Sequence, residues 1–276
     1  MTVTPRATSR HYLMCEPTHY TVSYEINPWM DSTRYTDAGL AVQQWRTLRE
    51  TFESLGHVVE TIDPIPGLPD MVYAANGATV VDGLVYSARF RYPERQPEGP
   101  AYEKWFADHG YVTHTAEQVN EGEGDILSVG DVLLAGTGFR TDRAAHDEIA
   151  RVTGREVVSL ELVDPHYYHL DTALAVLGSE PGAEQVAYFP PAFSDASRAE
   201  LERRFPDAVI ASERDAACLG LNAVSDGLNV VVAPGAVDLA AQLTERGYRP
   251  HPVDTSELLK GGGGAKCCTL EIRAAR

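Results

Sequence analysis

Apolar residues between positions 36 and 55 recur at helical spacing, with Leu40, Trp45, Leu48, Phe52 and Leu55 on one stripe, Asp37 near the start and Gly56 past the end. That pattern predicts an amphipathic helix with an acidic cap and a glycine stop. Residues 11–14 before it, and 57–62, 71–73, 78–81 and 84–88 after it, are short β-branched or aromatic runs that predict strands. Asp82-Gly83 between the last two marks a tight hairpin, because both residue types tolerate positive φ. A helix follows over 101–109, then strand 131–135, helix 143–152, strand 157–160, strands around 168–177 and 185–189, and helix 194–204. The rhythm closes with strand 229–233, helix 237–246 and a last strand at 268–272. Strand pairs interleaved with single helices predict repeated ββαβ-like units rather than a simple doubly wound sheet.

A chain of 276 residues can bury a large core, as one α/β domain or two smaller ones. No linker or charge block divides it, so residues 1–276 are read as one domain with a loose N-terminal tail up to Arg10. Acidic residues outnumber basic ones 40 to 23, for a net charge of −17. Such a field attracts small cations and disfavours nucleic acid or an anionic membrane as partner. With no apolar run of membrane-spanning length and no signal-peptide core, the expectation is a soluble cytoplasmic protein. Cys15, Cys218, Cys267 and Cys268 are too few and too irregularly spaced for a disulfide framework, which suits a reducing compartment. Among partners, a small cationic guanidino-type ligand and self-association into a homo-oligomer are both compatible with this composition.

The paired cysteines carry the candidate chemistry. On a strand over 268–272, alternation puts Cys268, Leu270 and Ile272 on an apolar face and Cys267, Thr269 and Glu271 on a polar one, so Cys268 reads as core and Cys267 as reactive. The glycines at 261–264 would let the backbone approach a ligand closely and set a thiol at the floor of a cleft. A nucleophilic thiol needs a proton-transfer partner, and a strand through His169, Leu170 and Asp171 would aim His169 and Asp171 from one face into one site. The glycine run is not a phosphate loop, since no Gly-Lys pair precedes Ser or Thr. Adjacent cysteines also lack the two-residue spacer of a zinc site.

Several further segments fall into a single order: Met14-Cys15-Glu16-Pro17 with Ile26-Asn27-Pro28-Trp29-Met30, Leu68-Pro69-Asp70-Met71-Val72 leading to Asn76, and Ala88-Arg89-Phe90-Arg91-Tyr92-Pro93-Glu94-Arg95. Glu121-Gly122-Glu123-Gly124-Asp125, Gly138-Phe139-Arg140-Thr141-Asp142, Tyr168-His169-Leu170-Asp171-Thr172, Leu221-Asn222-Ala223-Val224 and Gly263-Gly264-Ala265-Lys266-Cys267 continue it. With these motifs, spanning nearly the whole length, the chain resembles the guanidino-modifying hydrolases and amidinotransferases, the group of dimethylargininase, arginine deiminase and arginine dihydrolase. The resemblance implies a five-bladed α/β propeller of ββαβ units, the pentein fold, around a central pocket. It implies that Cys267 attacks a guanidinium carbon, that His169 shuttles protons and that Glu121 orients His169. It further implies that Asp171 and Asn76 face the guanidinium, that Arg95 and Arg140 bind the substrate α-carboxylate, and that no metal or organic cofactor is needed.

Within that family resemblance, Asp171 stands where animal-type dimethylargininases carry lysine and can bind a bare guanidinium with two hydrogen bonds. Asn76, together with Asn27, looks more like the dihydrolases. The expected reaction is hydrolysis of the guanidino C–N bond of arginine or an Nω-methylated arginine through a thiouronium on Cys267, giving citrulline and an amine. The alternatives are a dihydrolase yielding ornithine and ammonia, and a propeller that only binds. Glu123 reads as part of a solvated acidic loop, Asp125 and Asn222 as residues that could equally hold turns, and His166 as surface.

Overall fold

The computed structural model describes residues 4–180 and 182–274. Strand β1 (His11–Cys15) leads through helix α1 (Ala38–Ser54) to β2 (Val58–Ile62), which pairs with β1 in parallel. A ββαβ step then repeats. Its first copy is β3 (Ala78–Val81), β4 (Leu84–Ser87), α2 (Glu98–Asp108) and β5 (Val112–His114), and its second is β6 (Ile126–Val129), β7 (Val132–Thr137), α3 (Arg143–Thr153) and β8 (Glu156–Glu161). The one-turn helix α4 (Leu170–Ala173) opens the third, with β9 (Leu174–Gly178), β10 (Gln185–Tyr188), α5 (Asp195–Arg204) and β11 (Val209–Ile210). The one-turn helix α6 (Glu213–Ala216) opens the fourth, with β12 (Val224–Ser225), β13 (Asn229–Val232), α7 (Val237–Glu245) and β14 (Arg249–Pro252).

Among the described residues the strands form five three-stranded sheets, each with a middle strand antiparallel to the one before it and parallel to the one reached through the helix. The first sheet is completed from the far end of the chain. There β15 (Leu270–Glu271) pairs antiparallel with β1, Leu13 opposite Leu270. The strands β15, β3, β6, β9 and β12 abut in turn, which sets them around a common axis with the helices outside. This is the five-bladed α/β propeller the sequence rhythm and the family resemblance imply.

Local chemistry accounts for the blades. Asp37 Oδ1 accepts from Leu40 N at 3.0 Å and caps α1, a contact of about 1 kcal/mol. Ala41, Trp45, Leu48 and Phe52 form its buried face against Tyr12, Met14 and Val72, while Leu40, assigned to the stripe from sequence, is 38% exposed. Asp82 and Gly83 both have positive φ, 49° and 82°, the geometry whose twist joins β3 and β4 without splaying them.

Four expectations change. Residues 71 and 72 belong to a 3-10 turn (Pro69–Val72) that Tyr73 caps, rather than to a strand, because Pro69 opens a turn and the donors there serve it. His169 and Asp171 lie at the cap and in the body of α4, not on a strand. The last strand is confined to Leu270–Glu271, since Ala265–Cys268 are used in a turn. The tail is anchored where it is described: Arg6 N and Thr8 N donate to the carbonyls of Gly227 and Asp226, each at 2.9 Å. Residues 1–3 lie outside the described residues.

Candidate active site

Each inner strand is entered through a helical turn or bend, and the candidate residues come from those entries. Asn76, Asp171, Asn222 and Cys267 stand two or three residues ahead of β3, β9, β12 and β15, and Glu121 opens the 3-10 turn Gly122–Gly124 ahead of β6. Blade closure therefore aims five local structures at one end of the axis, although the residues are far apart in sequence.

Cys267 is 1% exposed. Its Sγ lies 3.2 Å from Asp171 Oδ2 and accepts from Asn222 Nδ2 at 3.1 Å. Burial, then the charge of Asp171, pushes this thiol well above its ordinary value. Burial likewise raises Asp171 to about 7, against the pull of Lys266 and the bonds from Cys267 and Asn222. The thiol thus donates to Asp171, and a cation beside that carboxylate would offset one of the two influences that disfavour the thiolate.

His169 Nε2 lies 2.8 Å from Glu121 Oε2; because a carboxylate only accepts, Nε2 carries the proton and Nδ1 is the free ring atom. Arg140 Nη1 donates to the same oxygen at 2.8 Å. Burial would raise Glu121, but Arg140 and His169 together outweigh it and hold the carboxyl well below the usual carboxylate range. Glu121 is thus an ionised orienting group for the imidazole. Asp125 Oδ1 accepts from Leu170 N at 3.0 Å and fixes the start of α4, and burial raises this carboxyl to about 6.

Arg95 binds Glu98 through Nε and Nη2 at 3.0 and 2.8 Å, and its Nη1 donates to Asn76 Oδ1 at 2.8 Å. That bond fixes the Asn76 amide with Nδ2 outward. Arg140 Nη2 donates to the Ile26 carbonyl at 2.9 Å, and Asn27 Nδ2 to the Gly261 carbonyl at 3.0 Å. Residues 26–29 thereby lie across the site, with Trp29 Nε1 on the His166 carbonyl at 2.8 Å and Tyr168 Oη on the Gly262 carbonyl at 2.8 Å. Gly124 permits the close approach at the centre: a Cβ there would stand 2.3 Å from Asn76 Nδ2 and 3.1 Å from His169 Nδ1.

Among the described residues, Asn76 Nδ2, Glu121 Oε1, Asp125 Oδ2, His169 Nδ1 and Asp171 Oδ1 are buried side-chain atoms with no partner in the chain. Buried polar atoms are nearly always bonded, so five on these adjoining entry turns mark a ligand surface. Three are carboxylate oxygens, which suit a donor-rich cation.

Every sequence-derived site residue lies on these entry turns or on the segments bonded to them, with two differences in detail. Arg95 and Arg140 are not free forks: their guanidinium groups are engaged with Glu98, Asn76 and Asp70, and with Glu121 and Ile26. Glu123 is not solvated. It is buried and accepts from Lys266 Nζ at 2.9 Å and from Glu271 N at 3.0 Å, with Arg273 as a further ion-pair partner, tying β15 to the neighbouring blade. Asn222 was not assigned a role from the sequence, because nothing local distinguishes a turn asparagine from one that touches a sulfur across blades.

No protein-family profile matches the chain. It is 55% identical over 269 residues, 98% of its length and 87% of the relative's, to an N(G),N(G)-dimethylarginine dimethylaminohydrolase of Mycobacterium tuberculosis. It is 37% identical over 267 residues to the bifunctional arginine dihydrolase/ornithine cyclodeaminase ArgZ of Synechocystis, covering 94% of this chain and 37% of that one. A crystal structure of the N-terminal domain of ArgZ, a cysteine-to-serine mutant bound to substrate, superposes with a TM-score of 0.91 at 35% identity over 96% of this chain and 99% of the other. A dimethylarginine dimethylaminohydrolase adduct with S-methyl-L-thiocitrulline superposes at 0.81 over 96% of this chain and 100% of that one, and at 20% identity it shows the fold alone. With this identity over nearly its whole length and five blades converging on a buried cysteine, the chain belongs to the family of guanidino-modifying hydrolases that includes dimethylarginine dimethylaminohydrolase and the arginine dihydrolases.

Proposed function

We propose that the protein hydrolyses the guanidino C–N bond of free arginine or an Nω-methylated arginine, releasing citrulline and ammonia or a methylamine. The observation that carries this reading is the pair of buried, unpartnered carboxylate oxygens on Glu121 and Asp171, on turns adjoining the one that carries Cys267. A guanidinium offers several N–H donors and a positive charge, which those acceptors match.

The steps follow from the groups present. The cation pairs with Asp171, which offsets the charge that holds the proton on Cys267; that proton passes to Nδ1 of His169, whose Nε2 is held by Glu121, and the thiolate attacks the guanidinium carbon. His169 gives that proton to the departing amine as the C–N bond breaks, and a thiouronium remains on Cys267. Neutral His169 then takes a proton from water, whose oxygen adds to the same carbon; the C–S bond breaks, the hydroxyl proton passes to the departing sulfur and restores the thiol, His169 gives its proton to the released amine, and citrulline leaves. Arg140 and Arg95 offer their remaining N–H groups to the substrate carboxylate, and the closed strap at 26–29 keeps bulk water out. An acidic surface of net charge −17 favours the arrival of a cationic amino acid.

A second reading has its own observation. Asn76 Nδ2 is a donor turned into the site by Arg95, and a donor suits a ureido oxygen better than a guanidinium N–H. A dihydrolase would use that contact to hold the ureido group for a second round, ending in ornithine, ammonia and carbon dioxide. A propeller that only binds has no use for a thiol, an imidazole and an ionised carboxylate on adjoining turns.

The experiment is product analysis of the purified protein with arginine, monomethylarginine and asymmetric dimethylarginine separately, with Cys267→Ser as control. Citrulline with methylamine or dimethylamine, lost in the variant, supports the first reading. Ornithine and ammonia from arginine support the second. No turnover of any of the three overturns both.

A further inference from the structure

Asn222 enters the site from the turn before β12 and is 2% exposed. Its Oδ1 accepts two backbone bonds, from Gly264 N at 2.9 Å and Cys267 N at 3.0 Å. An N–H cannot accept, so the amide has one orientation. One Nδ2 hydrogen is taken by the Asp171 carbonyl at 3.1 Å. The other faces Cys267 Sγ at 3.1 Å. The backbone adds a further tie, Lys266 N to the Asn222 carbonyl at 3.2 Å. All of this amide's bonding capacity is therefore spent on the nucleophile turn and on Asp171, whose carboxylate accepts from the thiol.

We propose that Asn222 is a catalytic residue for the hydrolysis: it fixes the attacking sulfur and supplies the hydrogen bond that stabilises its thiolate form. This deepens the reading of Cys267 as nucleophile and rests on it. Among the described residues Asn222 is the one side chain that donates to Sγ, and it is the group that draws the thiol down where burial and Asp171 push it up. A hydrogen bond to sulfur is modest when the sulfur is a thiol and strong when it is an anion, so the contact grows as the proton leaves. The preceding turn is built for the purpose: Leu219 sits at φ 52°, a costly conformation for leucine, and its carbonyl receives Asn222 N at 2.9 Å.

The test compares Asn222→Asp with the unmutated enzyme. The aspartate keeps both acceptor contacts to backbone N–H but has no donor for the sulfur and adds a charge beside it, so Asn222→Ala, which removes the donor without adding charge, is measured alongside. Alkylation of Cys267 by iodoacetamide is followed across pH, with kcat, KM and the melting temperature measured on the same samples. The thiolate-limited alkylation rate at neutral pH is expected to fall roughly ten- to hundredfold in Asn222→Ala, the weight of one hydrogen bond to a charged group, and further in Asn222→Asp. The variant's kcat should fall in step, with KM moving less. An unchanged alkylation profile and kcat in a folded variant overturn the proposal.

If Asn222→Asp does not fold, Asn76→Ser protein labelled with 15N-asparagine carries the test, because Asn222 is then the pocket asparagine next to the sulfur. A side-chain amide pair titrating with the alkylation midpoint, and still in Cys267→Ser, supports the assignment; no such pair overturns it. Turnover persisting in Cys267→Ser would instead remove the nucleophile reading itself.

Discussion

Replacing Asp171 by asparagine should make the protein more stable above neutral pH while disabling it. Asp171 is fully buried, and burial raises it from the ordinary 3.8 to about 7. A carboxyl raised in the fold contributes its stability below its unfolded value, and that contribution is lost as pH rises through the folded value. Between roughly pH 4 and pH 7 the unfolded chain has released this proton while the folded chain retains it, so stability declines across that window. Some three units at about 1.4 kcal/mol each give about 4 kcal/mol, an upper figure because water entry and relaxation would soften it. The amide in Asp171→Asn is neutral at every pH and can still accept from Cys267. Asp125, raised to about 6, and Glu98, raised to about 7, titrate in the same range but are common to both proteins and cancel in the difference. Urea unfolding at intervals from pH 4.5 to 8.5 measures that difference. The two curves should nearly coincide at the acid end, with the variant ahead by up to about 4 kcal/mol at pH 8. A gap that does not change with pH, or a variant less stable at pH 8, would refute the reasoning. Turnover should drop at least a hundredfold in the same variant, because the guanidinium loses its charged acceptor.

Other substitutions test neighbouring parts of the site. Glu121→Gln leaves Arg140 buried without its counter-ion and should cost about 3 kcal/mol by calorimetry, with kcat down roughly a hundredfold or more because His169 loses its ionised partner. Gly124→Ala places a methyl 2.3 Å from Asn76 Nδ2 and 3.1 Å from His169 Nδ1, so kcat/KM should fall at least tenfold at a stability cost of about 1–3 kcal/mol; unchanged kinetics would show that those side chains yield freely. Cys268→Ala should keep its turnover and lose about 1 kcal/mol in denaturant titration, since that thiol packs in the core beside Trp45 and Val72, whereas Cys267→Ala should abolish turnover.

Periodicity, capping and turn chemistry are properties of a few neighbouring residues, which is why α1, the Asp82-Gly83 hairpin and the order of the blades were legible in the chain. Strand alternation set Cys267 apart from Cys268 in the sequence, but in the structure both are buried in a turn, and it is the bond to Asn222 that distinguishes them. Likewise His169 and Asp171 share a site not because a strand alternates but because α4 is pinned by Asp125. Arg95, Arg140 and Glu123 show the limit most plainly. A lone arginine or glutamate carries no local sign of whether it meets solvent, substrate or a counter-ion, and here each is fixed by a partner from another segment or another blade. Local pattern, together with the motifs, determined the fold class and which residues could react. The closing of five blades on one axis decided which of them meet, because burial, charge pairing and proton sharing depend on distances that no local pattern encodes.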